Sequence, residues 1–343
     1  MRFGQWLSLV ILGICLYIFW QIRNVLLLAL TAVVFVVVLN RGVKLLQKRI
    51  PDRRAAVLAL LSCVLLVLGV LGLIIVPPFV NQLQELIRLT PQIIDQLQGW
   101  IRNIGNRIPG VTSDNFQSLE AILSQLQSMN LEMIFGRFFQ WFSNTLAVTL
   151  NLLLLAALII MMLLNPQAYR RLFLKAFPSS NRQQVDRVLD NCEDAIAGWF
   201  IGILFNMTVI ATMSMVGLWI LGIPLALANG LLAGLLAFIP NIGPVVSVIP
   251  PAAIALLEAP WKALAVIVLY IVIQQVESNV LTPLVMKKQV SLLPAVTLLS
   301  QVIFAIFFGF LGLLLALPLT LIIQQWLEEF WVKGFLEAKS HQA

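Results

Sequence analysis

Seven stretches of this chain run for 16 or more residues with at most one charge, at positions 5–22, 24–39, 55–79, 143–164, 198–221, 263–282 and 290–327. About 18 apolar residues in a helix reach across a hydrocarbon core of about 30 Å, so the pattern predicts a polytopic helical membrane protein. An eighth apolar block, 224–257, is interrupted by prolines and glycines and reads as a broken, re-entrant helical hairpin. The fold class is therefore all-α, with about eight transmembrane helices. At 60% hydrophobic and 11% charged residues, the composition excludes a soluble enzyme with one large core, a disulfide-stapled secreted domain and a disordered scaffold.

The net charge of +7 could suggest nucleic acid, but Lys and Arg cluster in short loops rather than along one basic face. Loop 40–54 carries Arg41, Lys44, Lys48, Arg49, Arg53 and Arg54 against Asp52 alone, which places it in the cytoplasm by the positive-inside rule. Counting onward puts the 166–195 loop and the turn with Lys287 and Lys288 on the same side, and both termini follow as cytoplasmic. Cys15, Cys63 and Cys192 do not form a disulfide framework. The basic start at Arg2 and the apolar run after it lack a small-residue cleavage site, and read as an uncleaved first span. Trp199 and Trp219, 20 residues or roughly 30 Å apart, mark the two interfaces of one span.

Five regions follow: spans with their basic loop at 1–79, an external insert at 80–142, a span and an inner amphipathic helix at 143–197, a core at 198–327, and a tail at 328–343. In the insert, Leu83, Leu86, Ile87, Ile93, Ile94 and Leu97 recur at helical spacing. A second amphipathic helix follows the Pro109-Gly110 turn, with an N-cap signature at Asp114 and Gln117. Both are expected to fold onto the membrane surface or onto neighbouring subunits. On the inner side Val185, Val188, Leu189, Cys192 and Ile196 form the apolar stripe of a helix that runs into the span at 198–221.

Between 196 and 327 only Glu258, Lys262, Glu277, Lys287 and Lys288 are charged, while prolines and glycines are dense. Irregular backbone at membrane depth is tolerated where it faces protein or a water-filled cavity, which points to a pathway. Pro240 removes a donor and forces Ile239 out of helical geometry. Gly243 permits a sharp turn, and Pro244 can open a second helix. Two half-helices meeting at a polar tip that holds Asn241 are implied; the plainer reading is a hairpin turn between two spans.

A second polar cluster comprises Gln274, Gln275, Glu277, Ser278, Asn279 and Thr282 before Pro283, too wide an arc to face lipid. Counted from Lys287, Glu277 lies about 15 Å deep. Asn206, Thr208, Thr212 and Ser214 form a milder stripe on 198–221, suited either to solute contact or to bonding between helices. The carboxyl of Glu277 is a candidate for proton or cation coupling, or for a structural hydrogen bond to Gln274, Ser278 or Asn279.

These residues resemble a family. Gly222-Ile223-Pro224, Gly230, Gly234, Ile239-Pro240-Asn241-Ile242-Gly243-Pro244, Glu277-Ser278-Asn279-Val280-Leu281-Thr282-Pro283, Leu293-Pro294 and Gly309 through Pro318 are similar to the autoinducer-2 exporter family, also called PerM-type permeases. The resemblance covers about 195–327 by motif and the N-terminal half by organisation alone. It implies a homo-oligomeric, ring-shaped transporter, a pentamer in the simplest case, in a prokaryotic inner membrane. Such a transporter would export a small polar solute such as autoinducer-2, with proton or sodium as coupling ion or as antiported cargo. The chain departs from the family pattern at Asn229, Asn241, Leu293 and 305–307, which bears on the substrate more than on the fold.

No Gly-x-x-x-x-Gly-Lys-Ser/Thr loop is present, and His341, the sole histidine, lies outside every apolar run. ATP-driven pumping, His-ligated zinc and a Ser-His triad in the membrane are thereby disfavoured, and neither a cofactor nor an enzymatic activity is expected. The rival from another class is a membrane interaction protein working through 80–142.

Overall fold

The structure, a computed structural model, describes residues 3–107, 145–240, 242–281 and 293–331. Its helices are α1 (Phe3–Leu46), α2 (Arg53–Arg107), α3 (Thr145–Leu164), α4 (Pro166–Lys175), α5 (Arg182–Ile220), α6 (Ala226–Leu236), α7 (Ile242–Glu258), α8 (Pro260–Val276), a π turn (Glu277–Leu281) and α9 (Pro294–Leu327). Among the described residues the fold is all-α, as expected. Five helices are long and apolar enough to cross a membrane, and a sixth does so if α3 and α4, bent by 90°, count as one.

The count is roughly consistent with the expected eight, and two differences stand out. The two spans expected at 5–22 and 24–39 are one continuous helix, because Ile22-Arg23-Asn24 contains neither of the residues that break the ladder. The Arg23 guanidinium lies 4.0 Å from the centroid of the Trp20 ring, a cation–π contact that accommodates a charge there. In the 224–257 block, α6 has 11 residues, about 16 Å, roughly half of the hydrocarbon thickness.

A further correction concerns the insert. The span expected at 55–79 and the first amphipathic helix after it are a single helix of 55 residues, continuous through Pro77-Pro78. The segment that follows, with the Pro109-Gly110 turn and the Asp114 cap, lies outside the described residues, as do Asn241, Thr282, Pro283, Lys287 and Lys288. The 290–327 run is too long for one span, and the bend that Phe308, Gly309 and Gly312 lead one to expect there falls at Gly309, whose φ of 65° and ψ of −147° leave the helical region. Gly312 there sits against the Phe304 carbonyl, eight residues back and about 12 Å away in a straight helix, so the chain reverses.

Two compact units divide the chain, and α2, α3 and α5 contribute to both. In the first (Met1–Leu65, Thr149–Gly202, Val285–Ala343), Leu27 and Val34 of α1 pack with Ile196 of α5 and Leu315 and Leu319 of α9. Val36, Val43, Ala56, Val57 and Leu163 form a second cluster at the ends of α1, α2 and α3. Ion pairs hold the polar rim: Arg41 to Asp194, Lys44 to Glu193 at 3.3 Å, Arg170 to Asp186 and Asp190 at 2.6 Å each, and Arg187 to Glu329 at 3.8 Å. The Arg53 guanidinium donates to the Leu163 and Leu164 carbonyls and to Asn40 Oδ1, capping α3 where it breaks.

The second unit (Leu66–Val148, Ile203–Leu284) holds α6 to α8 with the far half of α5. Its core joins Ile210 and Leu218 of α5, Ala233 of α6, Ala255 of α7, and Val266, Tyr270 and Ile273 of α8.

Candidate functional site

Small residues let the backbones of the second unit approach closely. A Cβ at Gly230 would lie 2.6–2.7 Å from Met215, and one at Gly234 would lie 2.5 Å from the Met207 carbonyl, so α6 lies directly on α5. Gly243, at the start of α7, rests on the Leu236 carbonyl and the Ala237 amide at the end of α6. The turn between them closes through Ile239 N–H to the Leu236 carbonyl at 3.0 Å and Gly243 N–H to the Ile239 carbonyl at 2.9 Å. Pro240 sits in this turn and Pro244 in the first turn of α7, the places that the motif predicts for them. Pro250 and Pro251 are buried inside α7 and leave the Val246 and Ser247 carbonyls without their intrahelical donors.

The polar cluster at the end of α8 is split. Glu277 is 7% exposed, and its Oε1 accepts a hydrogen bond of 2.8 Å from Asn206 Nδ2 of α5, joining two residues 71 apart that the sequence marks separately. Ser278 and Asn279 face outward. Asn279 Nδ2 donates to the carbonyl and Oε1 of Gln275 on its own helix, and Gln274 Nε2 donates to Ser278 Oγ at 3.4 Å. Residues 277–281 form a π turn, which carries one residue more than an α turn and recurs at functional positions. On α5, Thr208 and Thr212 are exposed and bond back to carbonyls four residues earlier, so only Asn206 and Ser214 of that stripe point inward.

Glu277 is 16 residues, about 24 Å, beyond Trp261, and Asn206 is 7 residues, about 10 Å, beyond Trp199. With these tryptophans taken as interfacial anchors, the counts give a shallower depth than the count from Lys287. Within 203–281 the other charged residues are Glu258 and Lys262, which pair with each other at 2.5 Å, so this lysine is engaged away from Glu277.

Of two further buried polar side chains, one escaped the sequence reading and the other was marked there only as a departure from the family pattern. Asn229 of α6 is 1% exposed, and neither atom of its amide has a hydrogen-bond partner among the described residues. Tyr270 of α8 is buried with its hydroxyl toward Ser214. Tyr270 stands seven residues before Glu277, on the same helix face, and that spacing was the available signal. Asn229 was marked as a departure from the family pattern, and nothing in the sequence indicated its burial.

Comparison with known proteins agrees with this organisation. Residues 7–331 match the AI-2E family transporter profile. YueF of Bacillus subtilis (strain 168), whose name gives transport as its proposed role, is 26% identical over 295 residues, 84% of this chain and 79% of its own. MT0215 of Mycobacterium tuberculosis (strain CDC 1551 / Oshkosh), named in the same way, is 28% identical over 318 residues, 91% and 86% of the two chains. The AI-2 transport protein TqsA of Escherichia coli (strain K12) is 37% identical over 110 residues, 32% of each chain. With the match running over nearly its whole length, this chain belongs to the AI-2E transporter family, a family of multi-pass membrane transporters.

Proposed function

We propose that the chain is a secondary transporter that exports a small polar solute of the autoinducer-2 kind, with proton or sodium coupling through Glu277. The observation that carries this reading is the bond between Asn206 and Glu277, a buried carboxylate held by a neutral amide. Burying a charged side chain within the hydrocarbon core is costly, and a proton or cation joining the carboxylate relieves that cost. The α6–α7 turn supplies the solute-facing backbone, through Pro240, Asn241, Gly243 and Pro244, and the Asn229 amide adds unsatisfied hydrogen-bonding capacity at the other end of α6. Gln274, Ser278 and Asn279 line the approach to Glu277.

The same reading places a homo-oligomer in the prokaryotic inner membrane with loop 40–54 in the cytoplasm. It draws support from the first unit, where ion pairs bring that loop's neighbours, the 166–195 segment and the end of α9 to one face. Flux of autoinducer-2 from liposomes carrying the purified chain, under imposed proton and sodium gradients, tests it. Gradient-driven solute efflux is expected. Ion exchange with no solute movement would instead identify a sodium/proton antiporter, and no flux of either would overturn transport by this chain.

A further inference from the structure

The short helix α4 has no place in a solute pathway, yet its geometry is specific. It begins one residue after the α3 span and turns from it by 90°, so a chain crossing the bilayer along α3 must run along the bilayer plane in α4. Its side chains fall into strips of residues four apart. Arg170 and Leu174 are half-buried, with Arg170 holding Asp186 and Asp190 of α5, which fixes which side meets protein. The other strips are exposed. Ala168 with Leu172 and Tyr169 with Phe173 form a continuous apolar face, Leu172 being 68% and Phe173 45% exposed, and Arg171 with Lys175 form a basic edge beside it.

We propose that α4 is an interfacial helix that docks on anionic phospholipid, its Leu172 and Phe173 face entering the headgroup–acyl boundary of the leaflet where α3 ends and its Arg171 and Lys175 meeting lipid phosphates. An apolar face with a basic border is the pattern that binds such surfaces. Arg53 ties the 47–54 loop to the same break through the Leu163 and Leu164 carbonyls, which sets the exposed cations Lys48, Arg49 and Arg54 on the same rim. The membrane is continuous with α3 and opposite in charge to this rim, and on both grounds it is the occupant.

The test uses the full chain without native cysteines, spin-labelled at Leu172→Cys or Gln167→Cys, in bilayers of phosphatidylcholine with or without phosphatidylglycerol. Labels at 172 should be accessible to oxygen and shielded from a water-soluble nickel complex, and labels at 167 the reverse. Water-like accessibility at 172 in both bilayers would overturn the placement. Native mass spectrometry should find phosphatidylglycerol retained in preference to phosphatidylcholine, and Arg171→Gln with Lys175→Gln should reduce that preference roughly fivefold for each charge removed. An unchanged preference in the double variant, or its erasure by inorganic phosphate at matched ionic strength, would overturn lipid as the ligand.

Discussion

The rim of the first unit and the hairpin core of the second are both helical, but they are held together by opposite means. The rim joins α1, α4, α5 and the end of α9 through long, partly exposed charged side chains, with Arg170, Asp186 and Asp190 30%, 44% and 58% exposed. The core has almost no charge and brings backbones together at Gly230, Gly234 and Gly243. Exposed ion pairs contribute about 0–1 kcal/mol each and re-form with small movements. Backbone contacts through glycine have no side chain that can yield. A rim of this kind tolerates displacement, whereas the hairpin core admits very little.

The contrast breaks most sharply at Gly243. Gly243→Leu should lower stability by roughly 3 kcal/mol and abolish solute efflux, because its Cβ meets the end of α6 itself. Thermal unfolding and liposome flux check both, and a variant that folds and transports normally would mean that the α6–α7 contact is looser than its geometry. Next comes the Glu277 pair. Glu277→Gln should retain solute binding and lose the response to proton or sodium gradients. Asn206→Leu should destabilise by about 1.5–3 kcal/mol, since the carboxylate keeps its burial and loses the hydrogen bond from α5. Gradient dependence equal to the parent's in Glu277→Gln would make the bond structural.

Asn229→Ala separates stability from function within the core. Removing an unpartnered buried amide should stabilise the fold by about 1 kcal/mol, while transport falls because the amide serves the solute. Unchanged transport in a more stable variant would dismiss Asn229 from the pathway. The smallest effect belongs to the rim, where Arg170→Gln should cost about 1 kcal/mol at low salt and nearly nothing near 1 M salt. Asp190 lies in the polar turns of α5 ahead of its apolar span, and the hydrogen bond from Arg170 holds its carboxyl below the usual carboxylate range. The folded-state value is depressed, so this increment is complete above about pH 4 and is lost as pH falls through the lowered value. Arg170→Gln should flatten that acid-side dependence in a pH series of unfolding midpoints.

What the sequence discloses follows from how local the signal is. The bend at Gly309, the closed turn around Pro240 and Gly243, and the all-helical span-rich fold were all legible, because each depends on residues within a few positions. The single helix across 22–24 was not, since a polar Ile22-Arg23-Asn24 step looks like a loop until Trp20 is seen beneath Arg23. Glu277 and Asn206 were each legible as candidates, but their pairing over 71 residues depends on how α5 meets α8. The burial of Asn229 is likewise tertiary, set by the contact that Gly230 permits.

Arg53 carries two kinds of information that act at different times. As part of the basic loop it bears on orientation once α2 is synthesised, before most of the protein exists. The carbonyls it caps, at Leu163 and Leu164, emerge 110 and 111 residues later, several seconds at ordinary rates of chain elongation. Replacement by lysine keeps the early message, a positive charge in the loop, and removes the late one, the planar fork. The first helices of such a variant would enter the membrane the right way round, and its fault would surface only after α3 had arrived.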